Sequence, residues 1–218
     1  MIVAVAVCPH PPLLVPEVAP GTAEELAEVR DACHAAVTAL LAADPDRVVV
    51  IGGGDHAGGL TPDLDETAGG SLAPYGAAVH AGGPGTDLPL SLTIGAWLLD
   101  RAGWTGPRTY STARPEVDGR VALLVMADGT GTRTPKAPGA LDDRAEAFDA
   151  AIAAALAAGD PEALASLDID LGAELWSRGV PTLRTLGEMT KGADVTAHLR
   201  VDVAPFGVGY LVADWVLG

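Results

Sequence analysis

Two short apolar runs separated by one long helical stretch constrain this fold more than any other feature. Ile2 to Val7 and Arg47 to Ile51 are short and rich in β-branched residues, and the second has the character of a strand buried on both faces of a parallel sheet. Between them Leu26, Val29, Cys33, Val37, Leu40 and Leu41 recur at helical spacing and mark a buried stripe to about Ala43. Thr22, with Glu25 three residues on, has the spacing of a capping box and places the start of this helix at Thr22. Asp44-Pro45-Asp46 ends it. Strand, helix and buried strand make a βαβ unit, so the chain belongs among α/β folds.

Each of the two strands runs out into a turn and a histidine. His10 lies in Cys8-Pro9-His10-Pro11-Pro12-Leu13-Leu14, and His56 in Gly52-Gly53-Gly54-Asp55-His56. Open α/β sheets place their ligand sites beyond the strand ends, which predicts both imidazoles at one edge. Pro11, Pro12, Pro16 and Pro20 stiffen the loop that carries His10. From Gly52 to Pro74 the chain is rich in Gly, Asp, Thr and Pro without periodicity, which predicts a long loop over the sheet edge.

Further along, Tyr75 to Ala81 is a weak strand signal, and Leu92, Ala96 and Leu99 mark a helix from about Leu88 to Ala102. Arg108 to Thr112 and Arg120 to Asp128 follow as strands, the second leading into the loop Gly129 to Gly139. Leu141 to Ala158 is a helix with Asp142 and Asp143 at its positive end and Phe148, Ile152 and Leu156 spaced by four. Gly159-Asp160-Pro161 stops it and starts another. Short helices are expected near Leu171 to Arg178 and Thr182 to Met189. Ala197 to Val203 and Val208 to Leu217, joined through Pro205-Phe206-Gly207, form an antiparallel hairpin. The expected architecture is a single-domain αβ sandwich over residues 1–218: a central, mostly parallel or mixed sheet flanked by helices, with that hairpin at the C-terminal end.

Composition narrows the function. The net charge of −16, from 13 basic and 29 acidic residues, repels the phosphates of nucleic acid and disfavours anionic membranes. Apolar runs such as Val121 to Met126 fall well short of the ~20 residues that cross a bilayer. Met1 to Val7 has no basic region before it and reads as a first strand, not a secretory signal. Two cysteines, Cys8 and Cys33, make no disulfide framework and fit a reduced cytoplasm.

Imidazole is the commonest side-chain metal ligand, and two of them with one carboxylate on a face of an iron(II) ion leave positions open for substrate and dioxygen. Glu17, Asp55, Asp128 and Glu174 are the carboxylate candidates, and spacing does not choose among them. The plainer alternative is that both histidines hydrogen-bond loop backbone. A zinc-bound water at the same histidines would instead make a metal-assisted hydrolase. Gly52, Gly54 and Ala57 fit a relaxed dinucleotide fingerprint, but residues 58–74 lack the helix that presents amides to a pyrophosphate. Cys8 and Cys33 read as buried thiols. His34 falls mid-helix as a structural or surface residue, and His80 and His198 fall in strands. Trp97, Trp104, Trp176 and Trp215 are spaced as core or helix residues.

Several of these segments, in this order, resemble the class III extradiol dioxygenase family, which includes the catalytic beta subunit of protocatechuate 4,5-dioxygenase. The resemblance covers nearly the whole chain. It rests on strand-then-His10-Pro11-Pro12-Leu13-Leu14, strand-then-His56, Thr134-Pro135-Lys136-Ala137-Pro138 before a helix with Phe148-Asp149, and Gly207-Val208-Gly209-Tyr210. It implies iron(II)- and dioxygen-dependent cleavage of a catecholic or related small aromatic compound beside its hydroxyls, with His10 and His56 as imidazole ligands. It also implies assembly as a homo- or hetero-oligomer, as family members often do. The family's acid-base histidine ends a Gly-Asp-Leu-Ser-His run. Here the corresponding stretch is Ala127-Asp128-Gly129-Thr130-Gly131, so Asp128 matches and Gly131 stands in the histidine's place. The third ligand slot falls near Arg178, with Glu174 one helical turn earlier as the carboxylate able to serve. His80 and His198 are the histidines open to the base's role.

Overall fold

The computed structural model describes residues 1–22, 24–53 and 63–218. His56 falls outside the described residues, as do Gly54, Asp55 and Ala57. The chain order is β1 (Ile2–Cys8), α1 (Ala27–Ala42), β2 (Arg47–Gly52), β3 (Gly69–Ser71), β4 (His80–Gly82), α2 (Leu90–Arg101), β5 (Arg108–Ser111) and β6 (Val121–Met126). There follow α3 (Ala145–Ala158), α4 (Pro161–Ala165), α5 (Ile169–Glu174), α6 (Val180–Thr190), β7 (Val195–Val203) and β8 (Tyr210–Leu217). Six strands form one sheet in the order β5-β2-β6-β1-β8-β7. β5, β2, β6 and β1 run parallel, while β8 lies antiparallel to both β1 and β7. The mixed sheet, its flanking helices and its terminal hairpin are those expected from the sequence.

Period-two alternation divides the core into two layers. On one face Ala4, Ala6, Val48, Val50, Leu124 and Met126 pack with Val29, Cys33 and Val37 of α1 and Leu92 and Leu99 of α2. On the other Val5, Val7, Val49, Ile51, Leu123 and Val125 pack with Ile152 and Leu156 of α3 and Leu183 and Leu186 of α6. α2 approaches the sheet closely because Gly95 faces it: a Cβ there would stand 2.4 Å from Val50 Cγ1 and 3.2 Å from Met126 Sδ.

Several boundaries differ from expectation. α1 begins at Ala27 with Leu26 at its N-cap and no side-chain cap, so the Thr22–Glu25 capping box does not start it. Leu26 is fully buried, and burying a leucine stabilises by about 1.5–3 kcal/mol, more than the ~1 kcal/mol of a cap. The strand expected over 75–81 is reduced to His80–Gly82, because Ala73–Tyr75 forms a 3-10 turn that Gly76 ends at φ 85°. α3 begins at Ala145, leaving Asp142 and Asp143 in the preceding turn. α5 stops at Glu174, and Trp176 follows in the left-handed region at φ 59°.

Candidate functional site

The parallel register brings Cys8, Met126 and Gly52 level on three adjacent strands, since Cys8 pairs with Met126 and Met126 with Gly52. The chain therefore leaves β1, β6 and β2 at one edge, toward His10, Asp128 and Gly53. His10 and Asp128 meet there. The His10 backbone N–H donates to Asp128 Oδ1 at 2.8 Å, and His10 Nε2 stands 3.7 Å from Asp128 Oδ2. His10 Nδ1 is buried without a hydrogen-bond partner among the described residues. Both side chains are mostly shielded, at 14% and 20% exposure.

The surroundings hold Asp128 in place. The Ala127 N–H donates to Cys8 O at 2.9 Å, and Ser177 Oγ donates to Asp128 O at 3.3 Å. Gly179 passes so close that a Cβ would lie 2.4 Å from Asp128 O. Burial first, and the Asp128 carboxylate second, push the Tyr210 phenol well above its usual range, so it keeps its proton at neutral pH. Burial and a hydrogen bond with Cys8 likewise raise the Cys33 thiol. Both cysteines are free and buried, as core thiols.

The loop after Asp128 is pinned by a carboxylate to which the sequence reading, quoting it only within Phe148-Asp149, gave no role. Asp149 of α3, 1% exposed, accepts from Thr130 N at 2.8 Å, Thr130 Oγ1 at 2.8 Å and Arg133 Nη1 at 3.0 Å. The same loop pairs with the turn before β8, through Gly129 N to Gly209 O at 2.7 Å and Gly209 N to Thr130 O at 2.8 Å.

The remaining expected residues lie elsewhere. Glu174 is 60% exposed and accepts from Arg144 Nη1 at 2.8 Å. Among the described residues no group of three or more His, Cys, Asp or Glu stands together to hold a metal, so Glu174 does not join His10 and Asp128. At Gly131 a Cβ would come 3.1 Å from Trp176 Cβ, so Trp176 occupies the space a larger residue would need. His80 Nε2 lies 2.6 Å from Gly83 O within the β3–β4 hairpin. His198 is 63% exposed on the outer strand, 4.0 Å from Asp214. His34 packs against Trp97 of α2.

A cavity of about 510 Å³ opens beyond the ends of β2 and β5, walled by α5, α6 and their connection. Ile51, Gly53 and Thr112 line it from the strand ends, and Trp176, Arg178 and Thr182 from the helical side. Gly53 is also the residue from which the segment carrying His56 departs. Sequence reading took Trp176 for a core or helix residue and Arg178 only for a misfit at a ligand slot. The signal was the segment Trp176-Ser177-Arg178-Gly179, where one large aromatic and one cation flank a serine just before a glycine.

His10 and Asp128 suit a divalent cation. Two ligand atoms about 2.1 Å from one metal stand roughly 3.0–3.4 Å apart. The observed 3.7 Å is too long for a hydrogen bond and within a few tenths of an ångström of that spacing. An imidazole and a carboxylate are also donors iron(II) accepts.

Compared with models of protein families and with curated protein sequences, the chain matches none.

Proposed function

We propose that the chain is an iron(II)-dependent, extradiol-type ring-opening dioxygenase acting on a catecholic or related aromatic compound with dioxygen, in the reducing cytoplasm. The observation that carries this reading is the juxtaposition of His10 and Asp128 at the edge where β1, β6 and β2 end level. Asp128, and not Glu174, is the carboxylate we assign beside His10, with His56, three residues beyond Gly53 in sequence, as the second imidazole. A metal bound there would act as a Lewis acid that lowers the pKa of a substrate hydroxyl.

The chain's own residues bind and orient. The cavity of about 510 Å³ lies within the range of small-molecule sites, roughly 300–1,000 Å³, and is the pocket we assign to the aromatic ring. Tyr210 keeps its phenolic proton at neutral pH, so it brings no negative charge of its own to this edge. Gly131 carries no proton, and absence of a general base costs on the order of 10²- to 10⁴-fold. Turnover is accordingly expected to be slow.

The test is an anaerobic iron(II) titration of metal-free protein, with His10→Ala and Asp128→Asn alongside, followed by oxygen uptake with a catechol panel. Stoichiometric binding that both substitutions abolish, with oxygen consumption above background, is the expected result. Absence of binding or of oxygen consumption would refute it. The second reading, a non-catalytic relative that keeps the pocket, would then stand, favoured by Trp176 filling the space at Gly131.

A further inference from the structure

We propose that another cavity, at the end of the sheet away from His10, binds an organic acid with an aliphatic tail, Arg114 and Lys191 meeting the carboxylate. The site is independent of the function proposed above and shares no lining residue with the cavity beyond β2 and β5.

The start of β1, the end of α6, the end of β8 and the segment before β6 enclose about 720 Å³. That volume lies within the roughly 300–1,000 Å³ of small-molecule sites. Ile2, Val117, Met189 and Leu217 form a half-buried fringe of the core layer packed against α3 and α6, and all four line the cavity. Their open sides give a hydrocarbon tail apolar surface to cover. No aromatic side chain lines this cavity among the described residues, and the unbranched Met189 adapts to a chain better than to a flat ring. Thr182, in the other cavity, is separated from Met189 by about 10 Å of helix, so a ligand held at one end of α6 leaves the other end free.

Charge selects the anion. Most of the 13 basic side chains are engaged, with carboxylates, with backbone carbonyls or, for Arg101, with the Trp97 ring. Arg114, Lys136 and Lys191 alone have no hydrogen bond, ion pair or ring contact among the described residues, and two of those three line this one cavity. In a chain of net charge −16 that pairing sets a local field against the field of the whole. Glu116 is the one acidic side chain on the lining, and it is exposed. A guanidinium presents two parallel N–H groups to a carboxylate, and the lysine ammonium adds a point charge beside it.

Calorimetric titration of the full chain with octanoate, octan-1-ol and acetate separates charge from tail. Octanoate is expected to bind saturably at one site, roughly tenfold or more tighter than either the alcohol or acetate. The double variant Arg114→Gln, Lys191→Gln should bring octanoate down to the alcohol's level, and both cations are exposed, so the fold tolerates their loss. Arg114→Lys should keep part of the preference. Val117→Asp should weaken octanoate and octanol alike, and Trp176→Leu, in the other cavity, should change neither. Octanoate within twofold of octanol or of acetate, or no saturable binding, overturns the proposal. So does octanoate binding that survives the double variant and is lost in Trp176→Leu, because it would place the acid in the other cavity.

Discussion

Replacing Asp149 with asparagine removes one charge and almost no volume, so it isolates what the buried carboxylate does. Oδ1 accepts from Thr130 N, while Oδ2 accepts from Thr130 Oγ1 and Arg133 Nη1. An asparagine amide must place its NH2 at one of these two positions. At the first it meets the Thr130 N–H, and at the second the Arg133 guanidinium, so either orientation sets donor against donor. The Thr130 hydroxyl alone can turn to accept. A hydrogen bond to a charged group contributes about 1.5–3 kcal/mol, and breaking a buried ion pair costs about 3–5 kcal/mol. The second figure needs discounting, because Arg133 is 21% exposed and has Glu146 at 4.0 Å as another neighbour. A net loss of about 3 kcal/mol follows, which for a chain of this length lowers Tm by roughly 6–12 °C. Thermal and urea denaturation of wild type, Asp149→Asn, Arg133→Met and the double variant measure it, with a coupling energy above about 0.5 kcal/mol expected between the two sites. A Tm shift under about 2 °C, or strictly additive effects, would refute the assignment of Asp149 as the anchor of the 129–134 loop.

In a solvent-facing helix Gly→Ala stabilises by roughly 0.5–1 kcal/mol. At Gly95 the new methyl would land 2.4 Å from Val50 Cγ1, and overpacking of about 1–3 kcal/mol reverses the sign. Gly95→Ala should therefore lose about 1–2 kcal/mol in urea denaturation, and a more stable variant would contradict the close approach of α2 to β2. Asp142 is held down to about 2 by the side-chain hydrogen bond from Arg144 and then by the Arg144 backbone N–H. Because its folded value is depressed, its contribution is present above the ordinary carboxylate range near ~4 and is lost as pH falls toward 2. An NMR carboxyl titration should find that midpoint in the wild type and a rise in Arg144→Gln, and an ordinary value in the wild type would rule out the pairing.

The expectations that survived translation into three dimensions rest on periodicity. Ile2 to Val7, Arg47 to Ile51 and Val121 to Met126 became adjacent parallel strands because each is apolar on both faces and only a doubly covered sheet satisfies that pattern. His10 was legible as a residue beyond a strand end and Asp128 as the last residue of a strand, which in the structure stops two residues earlier at Met126. What was not legible was helix starts. The Thr22 signal is local, whereas the burial of Leu26 depends on the core that α1 faces. Glu174 shares a helical turn with Arg178 in sequence. Yet α5 ends at Glu174 and the chain turns sharply through Trp176, so one residue lies at the surface with Arg144 and the other at the cavity.

By itself, then, the sequence determined the alternation of strands and helices, the sheet's buried character and the placement of His10 and Asp128 at strand ends, because these follow from residue spacing along one chain. Tertiary structure decided which carboxylate stands beside His10, why Trp176 fills the space at Gly131, and that Arg178 faces a cavity lined by no carboxylate among the described residues. Those outcomes depend on contacts between segments far apart in sequence, where packing and burial, not local spacing, set the distances.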